Sequence, residues 1–389
     1  MTKLAGDWLD RPATQGICAL LEGGGHKALF VGGCVRDALL GRAVGDIDIA
    51  TDARPERVMA LAEAAGVKAV PTGIGHGTVT LVSDGVPHEV TTFRRDVETD
   101  GRRAVVAFSD DVAEDARRRD FTMNALYADA RGAVTDPLGG MADLRARRVR
   151  FIEDPETRIR EDYLRILRFF RFHAWYGNAD AGMDAEALAA IAALSPGLET
   201  LSRERVGHEM RRLLAAPDPA PSIAAMRQAG VLAVVLPGAE DTFLAPLVHL
   251  EGETGTAPDA MRRLAVLGGE DLPGALRLSK ADQRRLEALR SVMTSADTPA
   301  ALGFRHGAGL ARDALLMRWA MAGQAPVPEQ LSEVETGAAQ VLPVSARDLP
   351  DSYQGAEIGR RLKQLEAAFV ASGFTLDRAA LLALPDPRS

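Results

Sequence analysis

The sequence predicts an α+β chain in which an N-terminal module, built from a small mixed β-sheet and helices, is followed by an all-α remainder. Short apolar runs of strand type are confined to roughly the first 140 residues. Beyond them, long Ala-, Leu- and Arg-rich stretches carry helical periodicity. Size adds a third indication: 389 residues exceed what one hydrophobic core usually supports, and an apolar content of 47% is enough to fill more than one.

Within the first module, Ala28 to Val31, Ile47 to Ala50, Val67 to Val70, Thr78 to Val82 and Glu89 to Phe93 read as strands, with helical patterns over 35–40 and 55–65 between them. Later helical patterns cover 159–176, 203–216, 281–294, 309–322 and 355–371. Proline-rich breaks at Pro217 to Pro221, Pro237 to Pro258 and Pro326 to Pro328 interrupt them, as domain boundaries or as loops inside one helical body. The division that follows is 1–140, 141–215 and 216–389, with no internal repeat.

The formal net charge of -8 and an isoelectric point near 5.5 exclude a protein that coats nucleic acid nonspecifically, which needs a basic excess. Any RNA site must be a local patch. Cys18 and Cys34 are the only cysteines. They exclude a disulfide framework and a cysteine zinc site of conventional spacing, and point to a reducing, cytoplasmic compartment. No secretory pattern and no stretch long enough to span a bilayer is visible, so a soluble protein is expected.

The densest signal is Phe30-Val31-Gly32-Gly33-Cys34-Val35-Arg36-Asp37, which reads as strand, glycine pair and helix start. A glycine pair lets the backbone approach a triphosphate, and the amides that follow favour anionic oxygens. By itself it is equally a plain turn, with Arg36 a solvated charge. Gly45-Asp46-Ile47-Asp48-Ile49-Ala50 follows. Strand alternation turns Ile47 and Ile49 to a core and sets Asp46 and Asp48 side by side on the opposite face. Paired carboxylates repel unless a cation sits between them, and phosphoryl transfer needs Mg2+ to activate a hydroxyl and neutralise polyphosphate. Two solvated aspartates at a strand end are the plain alternative, and the position after the glycine pair favours the chemistry.

With three later segments, Thr72-Gly73-Ile74-Gly75-His76-Gly77-Thr78-Val79-Thr80, Glu89-Val90-Thr91-Thr92-Phe93-Arg94 and Arg118-Arg119-Asp120-Phe121-Thr122-Met123-Asn124-Ala125-Leu126, the arrangement resembles the nucleotidyltransferases of the polymerase β superfamily. Within that superfamily it resembles the bacterial CCA-adding, class II branch of the tRNA nucleotidyltransferase/poly(A) polymerase family. The shared motifs span roughly residues 28–212. The resemblance implies a catalytic head over 1–140, a helical neck over 141–215 that recognises the base, and a helical body and tail over 216–389 that bind tRNA. It further implies that Asp46 and Asp48 hold two Mg2+ ions, that Gly33 and Arg36 contact the triphosphate, and that Arg119 joins them on a phosphate or sugar. Glu89 is the candidate third acid, a solvated strand-face glutamate being the alternative.

Arg160-Glu161-Asp162-Tyr163-Leu164-Arg165-Ile166-Leu167-Arg168-Phe169-Phe170-Arg171 predicts one helix on which Asp162, Arg165, Arg168 and Arg171 form a slowly winding polar stripe. On spacing alone this is a surface helix with an i,i+3 ion pair. In the family, the matching Glu-Asp-x-x-Arg helix reads the incoming base. Cytosine and adenine each present an exocyclic amine beside a ring-nitrogen acceptor, which suits an aspartate acceptor and an arginine donor. Uracil and guanine invert that pattern and would leave buried groups unpaired. By the resemblance Arg168 and Arg171 bind the nucleotide's phosphates or the neighbouring loop.

Arg94-Arg95-Asp96-Val97-Glu98-Thr99-Asp100-Gly101-Arg102-Arg103 resembles the family's mobile loop for the switch from C to A addition, which favours synthesis of the full CCA end. Ser202-Arg203-Glu204-Arg205-Val206-Gly207-His208-Glu209 resembles a later helical motif, where Ser202 and Glu204 read as N-cap and first-turn acid. Arginines at 145–171 and 203–212 are candidate tRNA contacts. The implied function is template-independent addition of CCA to tRNA 3′ ends from CTP and ATP, with Mg2+ as cofactor. A poly(A) polymerase, a CC-adding enzyme and an inactive tRNA-binding relative are the rivals. The chain lacks the Gly-Arg-Arg-Phe-like segment and basic tail typical of poly(A) polymerases.

Overall fold

The computed structural model describes residues 2–100 and 103–385, the side chains of 96–106 excepted. The chain divides into two compact units, Met1–Ala239 with Gly269–Arg277, and Glu240–Gly268 with Leu278–Ser389. The first unit contains β1 (Leu29–Val31), β2 (Asp48–Thr51), β3 (Lys68–Gly73), β4 (Thr78–Ser83), β5 (Val86–Thr92), β6 (Arg94–Asp100), β7 (Arg103–Phe108), β8 (Tyr127–Ala128) and β9 (Val134–Thr135). Seven of these form one mixed sheet in the order β3-β4-β5-β2-β1-β8-β9, while β6 and β7 pair with each other. Within the large sheet β2 and β5 run parallel, and the other neighbours are antiparallel.

Alternation along the central strands divides the sheet into two chemically different faces. On β5, His88, Val90 and Thr92 are buried while Glu89 between them is exposed. The buried side is covered by the helices Pro12–Gly23 and Pro55–Ala64, which pack on β3, β4 and β5. Thr14 on the first of these bonds the buried His88 ring, Oγ1 to Nε2 at 3.0 Å. The opposite face is left to carry polar groups.

All five expected strands are present. The segment 94–103, expected as a loop, instead contains β6 and the first residue of β7, its pairing partner, and Gly101 and Arg102 of that expected loop lie outside the described residues. At two residues each, β8 and β9 are too short to show a period.

The single helix expected over 159–176 is two helices, Pro155–Glu161 and Leu164–Tyr176. Asp162 between them is extended, with φ -157 and ψ 105. Its Oδ1 accepts the Leu164 amide at 3.1 Å, so the side chain satisfies the start of the second helix and ends the first. The second helix buries Ile166, Leu167, Phe169 and Phe170 and packs against the helix Arg203–Leu214. Aromatic rings tie it to the head: Phe121 lies 5.0 Å from both Phe151 and Phe172, and Phe151 stacks on Phe169 at 5.6 Å. This fixes the helix relative to the residues that precede Phe121.

In the second unit, Glu251 is buried between Arg262 and Arg263, and Asp313 bonds Arg262 and Arg285. Leu365, Phe369 and Leu381 belong to a separate apolar cluster with Val344, Leu349 and Tyr353. Among the described residues no helix is long and apolar enough to cross a membrane.

Gly207 marks a close approach in the first unit. A Cβ there would sit 1.9 Å from the Leu276 carbonyl oxygen, a clash that backbone must move to relieve. Gly207→Ala is expected to destabilise the fold by about 1–3 kcal/mol, as overpacking does, seen as a lower Tm in thermal unfolding followed by circular dichroism. An unchanged Tm would contradict this packing.

Candidate active site

The parallel pairing of β2 and β5 puts Asp48 directly opposite Glu89. Asp46 precedes the strand and is exposed, and Ile47 and Ile49 beside it are 4% and 0% exposed, as the alternation requires. Burial first, and then the negative charge of Glu89, push the Asp48 carboxyl up to about 6; Asp46 adds to the rise and Arg119 opposes it. Three carboxylates thus influence one small region. Among the described residues no three His, Cys, Asp or Glu side chains are gathered into a metal cage. The donor set is hard oxygen from Asp46 and Asp48, the chemistry that suits a divalent cation completed by water and phosphate oxygens.

Beside these acids the chain turns from β1 into the helix Gly33–Leu39 through Gly32, whose φ of +72 is a conformation that side chains other than glycine rarely adopt. Arg119 lies over this turn, its Nη1 3.7 Å from where a Gly32 Cβ would stand. It is held there by two donations, Nη2 to Asp115 at 3.0 Å and Nε to the Tyr127 hydroxyl at 3.1 Å. The Tyr127 hydroxyl in turn donates to Asp115 at 2.7 Å, and Arg118 also pairs with that carboxylate at 2.7 Å. Asp115 is 1% exposed, and despite its burial the two guanidinium groups hold its carboxyl well below the usual range.

Arg36, expected on the triphosphate, is engaged by protein partners. It is 6% exposed and donates to Asp37, to Asn124 at 2.7 Å and to the Tyr176 hydroxyl at 2.7 Å, with Tyr176's ring centroid 4.0 Å from its guanidinium carbon. These partners make it a tie between the glycine turn and the Leu164–Tyr176 helix. Gly33 is under that guanidinium, a Cβ there falling 3.7 Å from Arg36 Nη2.

Asp162, Arg165 and Arg168 line a single cavity of about 390 Å³ with Arg94, Arg118, Arg119, Asp120, Leu164 and Arg205. Six arginines therefore face two aspartates. Asp120 takes Arg168 through Nε at 2.8 Å and Nη2 at 2.5 Å, and Asp162 accepts Arg205 Nη2 at 2.6 Å. Arg165 donates to the carbonyl of Arg158 at 2.8 Å, to that of Arg118 at 3.2 Å and to Glu161. Arg171 is not in the cavity: it is 4% exposed and pairs with Glu209, itself 4% exposed, at 2.5 Å. The turn of the stripe that carried Arg171 inward follows from its three-residue step on a 3.6-residue helix.

Sequence reasoning did not single out Asp115 or Asp120, and took Arg205 only as one of the candidate tRNA contacts at 203–212. Asp115 stands three and four residues before the arginines it holds, an i,i+3 and i,i+4 spacing that was available as a signal. Arg205 lies in the segment read as a structural helix start. Ser202 does occupy that N-cap, with no hydrogen bond from its side chain.

Residues 28–150 match the poly A polymerase head domain, and residues 182–243 match the family described as the probable RNA and SrmB- binding site of polymerase A. The chain is 42% identical over 225 residues to a CCA-adding enzyme of Geobacillus thermodenitrificans, an alignment covering 57% of this chain and 54% of that one. It is 43% identical over 212 residues to one from Streptococcus pyogenes serotype M2, covering 54% and 51%. Over these residues the chain is similar to the tRNA nucleotidyltransferase/poly(A) polymerase family. It spans about half the length of these curated relatives. In structure it is similar to the Bacillus stearothermophilus CCA-adding enzyme in complex with CTP, with a TM-score of 0.73 and 29% identity over 93% of each chain. The α+β architecture expected from the sequence is the one this solved structure has, and nucleotidyltransferases of that kind use divalent metal ions.

The Asp48 carboxyl, raised in the folded chain to about 6, binds its proton more tightly there than when unfolded. Stability is therefore lost as pH rises from about 4 through about 6. In metal-free protein at pH 8, Asp48→Asn is expected to raise stability by about 1–3 kcal/mol, a gain that vanishes near pH 4. Denaturant melts at the two pH values measure it, and an Asp48→Asn chain no more stable than the parent at pH 8 would contradict the crowding of these acids.

Proposed function

We propose that this chain is a CCA-adding tRNA nucleotidyltransferase, joining C, C and A from CTP and ATP to the 3′ end of tRNA without a template. The observation that carries this reading is the convergence of Asp162, Arg165 and Arg168 on one arginine-lined cavity that shares Arg119 with the Asp48 and Glu89 site. A triphosphate fits such a cavity by charge, and a base fits it by the acceptor and donor that Asp162 and Arg165 offer.

In this reading Asp162 accepts the exocyclic amine of cytosine or adenine. Its two oxygens each accept one bond from the protein, from the Leu164 amide and from Arg205, and keep further lone pairs for the base. Arg165 donates to the ring nitrogen, three bonds to the protein leaving two of its five N–H groups. Arg168, anchored by Asp120, and Arg119, anchored by Asp115, hold phosphate or sugar oxygens. Gly32 and Gly33 allow the backbone to come close, and Arg36 and Arg171 act on the site by fixing the elements around it. Asp46 and Asp48 would hold Mg2+, with Glu89 as third acid, and the ion supplies the charge that activates the 3′-hydroxyl and offsets the charge on departing pyrophosphate. The tRNA 3′-oxygen attacks the α-phosphorus in line, the bond to the β-phosphate oxygen breaks, and the arginines bear the charge that gathers on the leaving group. The two cysteines, both buried free thiols, fit a cytoplasmic protein.

Labelled-nucleotide incorporation into tRNA transcripts lacking CCA, ending in CC, or carrying an unrelated 3′ end tests the reading with each NTP and Mg2+. Ordered addition of C, C and A to tRNA alone is expected. A-tailing of any RNA would make the chain a poly(A) polymerase, and no incorporation would leave it a tRNA-binding relative. In the same assay Asp162→Asn, which keeps an oxygen for the Leu164 amide but offers a donor to the base, is expected to reduce the preference for CTP and ATP over UTP and GTP by about 10–100-fold. Unchanged selectivity would remove Asp162 from base recognition.

A further inference from the structure

Phe172 is buried on the Leu164–Tyr176 helix, and by residue type alone it is one more core aromatic. Its surroundings are of another kind. Three guanidinium carbons lie around its ring, that of Arg171 at 4.5 Å from the centroid, that of Arg36 at 5.2 Å and that of Arg168 at 5.5 Å. The Phe121 and Tyr176 rings are close by, at 5.0 and 5.4 Å. Arg168, Phe172 and Tyr176 follow one another at steps of four residues and so share one face of the helix. Arg36 reaches that face from the helix Gly33–Leu39, where it is close to both rings, its guanidinium carbon 4.0 Å from the Tyr176 centroid.

Each of the three arginines also has a carboxylate, Asp37 for Arg36, Asp120 for Arg168 and Glu209 for Arg171. A carboxylate holds a guanidinium by taking its N–H groups, as Asp120 takes Nε and Nη2 of Arg168. An aromatic ring attracts the same cation through its electron-rich face, which leaves N–H groups in the guanidinium plane for a phosphate. Away from water that attraction is stronger. The ring also eases crowding between like charges. Burial lowers the pKa of Arg171 and Glu209 opposes this, while the charge of Arg168 adds to the lowering. A ring close to both offsets part of their repulsion without bringing in a further charge.

We propose that Phe172 is a positioning residue for the nucleotide's phosphates, its ring holding Arg168 in the cavity and Arg36 over Gly33 in one fixed arrangement. It acts through the arginines and touches no reacting atom. The inference deepens the function proposed above and rests on its placing of a triphosphate in the arginine-lined cavity, but makes no use of base recognition. Arg168 then meets the phosphates already aimed, and the glycine turn keeps its distance from the Leu164–Tyr176 helix when they arrive.

Graded fluorination of the ring tests this, because fluorine drains the electron density of the ring face while nearly keeping its shape. The full chain carrying mono-, di- or trifluorophenylalanine at position 172 is titrated calorimetrically with CTP and with inorganic tripolyphosphate, each in Mg2+. Both Kd values are expected to rise with every fluorine, by about three- to tenfold at the trifluoro ring, with the Tm held at the parent value. Phe172→Leu, apolar but without a π face, is expected to weaken both at least as far. Affinities that stay level along the series, or that fall only where the Tm falls, make Phe172 a packing residue and overturn the proposal, as does a parent chain that binds neither ligand. The two readings fail separately. Affinity that follows the series in a chain that binds UTP as tightly as CTP would sink the proposed base recognition and leave the role of Phe172 standing, whereas ordered addition of C, C and A with level affinities would do the reverse.

Discussion

Six guanidinium groups around one cavity repel one another, and the site depends on the buried carboxylates that make this arrangement tolerable. Asp115 and Asp120 are 1% and 8% exposed. Arg118 and Arg119 turn on the first, Arg168 on the second, and Asp162 takes Arg205. Each aspartate removes part of the repulsion and at the same time fixes where a cation points. The arginines so held are aimed in advance, so a polyphosphate meets donors that need little reordering.

The fold brings these pieces together by simple means. A parallel β2–β5 pair sets Asp48 against Glu89 in register, while helices cover the other face of the sheet. The Phe121, Phe151, Phe169 and Phe172 cluster then ties the Leu164–Tyr176 helix to the segment that carries Arg118, Arg119 and Asp120. Arg36, Asn124 and Tyr176 add a polar tie beside that apolar one. Both sets of residues belong to the compact first unit, and the cavity lies where their side chains converge.

How much of this was legible in the sequence depended on how local the cause was. Asp46 and Asp48 could be read because strand alternation is a two-residue rule, and the glycine turn because only glycine suits the φ of Gly32. The break at Asp162 was not read, since its cause is a side-chain cap that competes with helix continuation. The partners that draw Arg36 and Arg171 inward, Tyr176 and Glu209, were not legible because they lie 140 and 38 residues away. Arg205 was hidden for the same reason, 43 residues from Asp162.

In the proposed reading one cavity combines a cationic phosphate site with an acceptor and donor arranged for an amine beside a ring nitrogen. Calorimetric titration of the full chain with CTP, ATP, UTP and GTP, in Mg2+ and without RNA, addresses it most directly. CTP and ATP are expected to bind at least about tenfold more tightly than UTP and GTP, since the mismatched bases leave buried groups unpaired. Equal affinity for all four nucleotides would show a cavity that binds triphosphate alone, and would contradict the role given to Asp162 and Arg165.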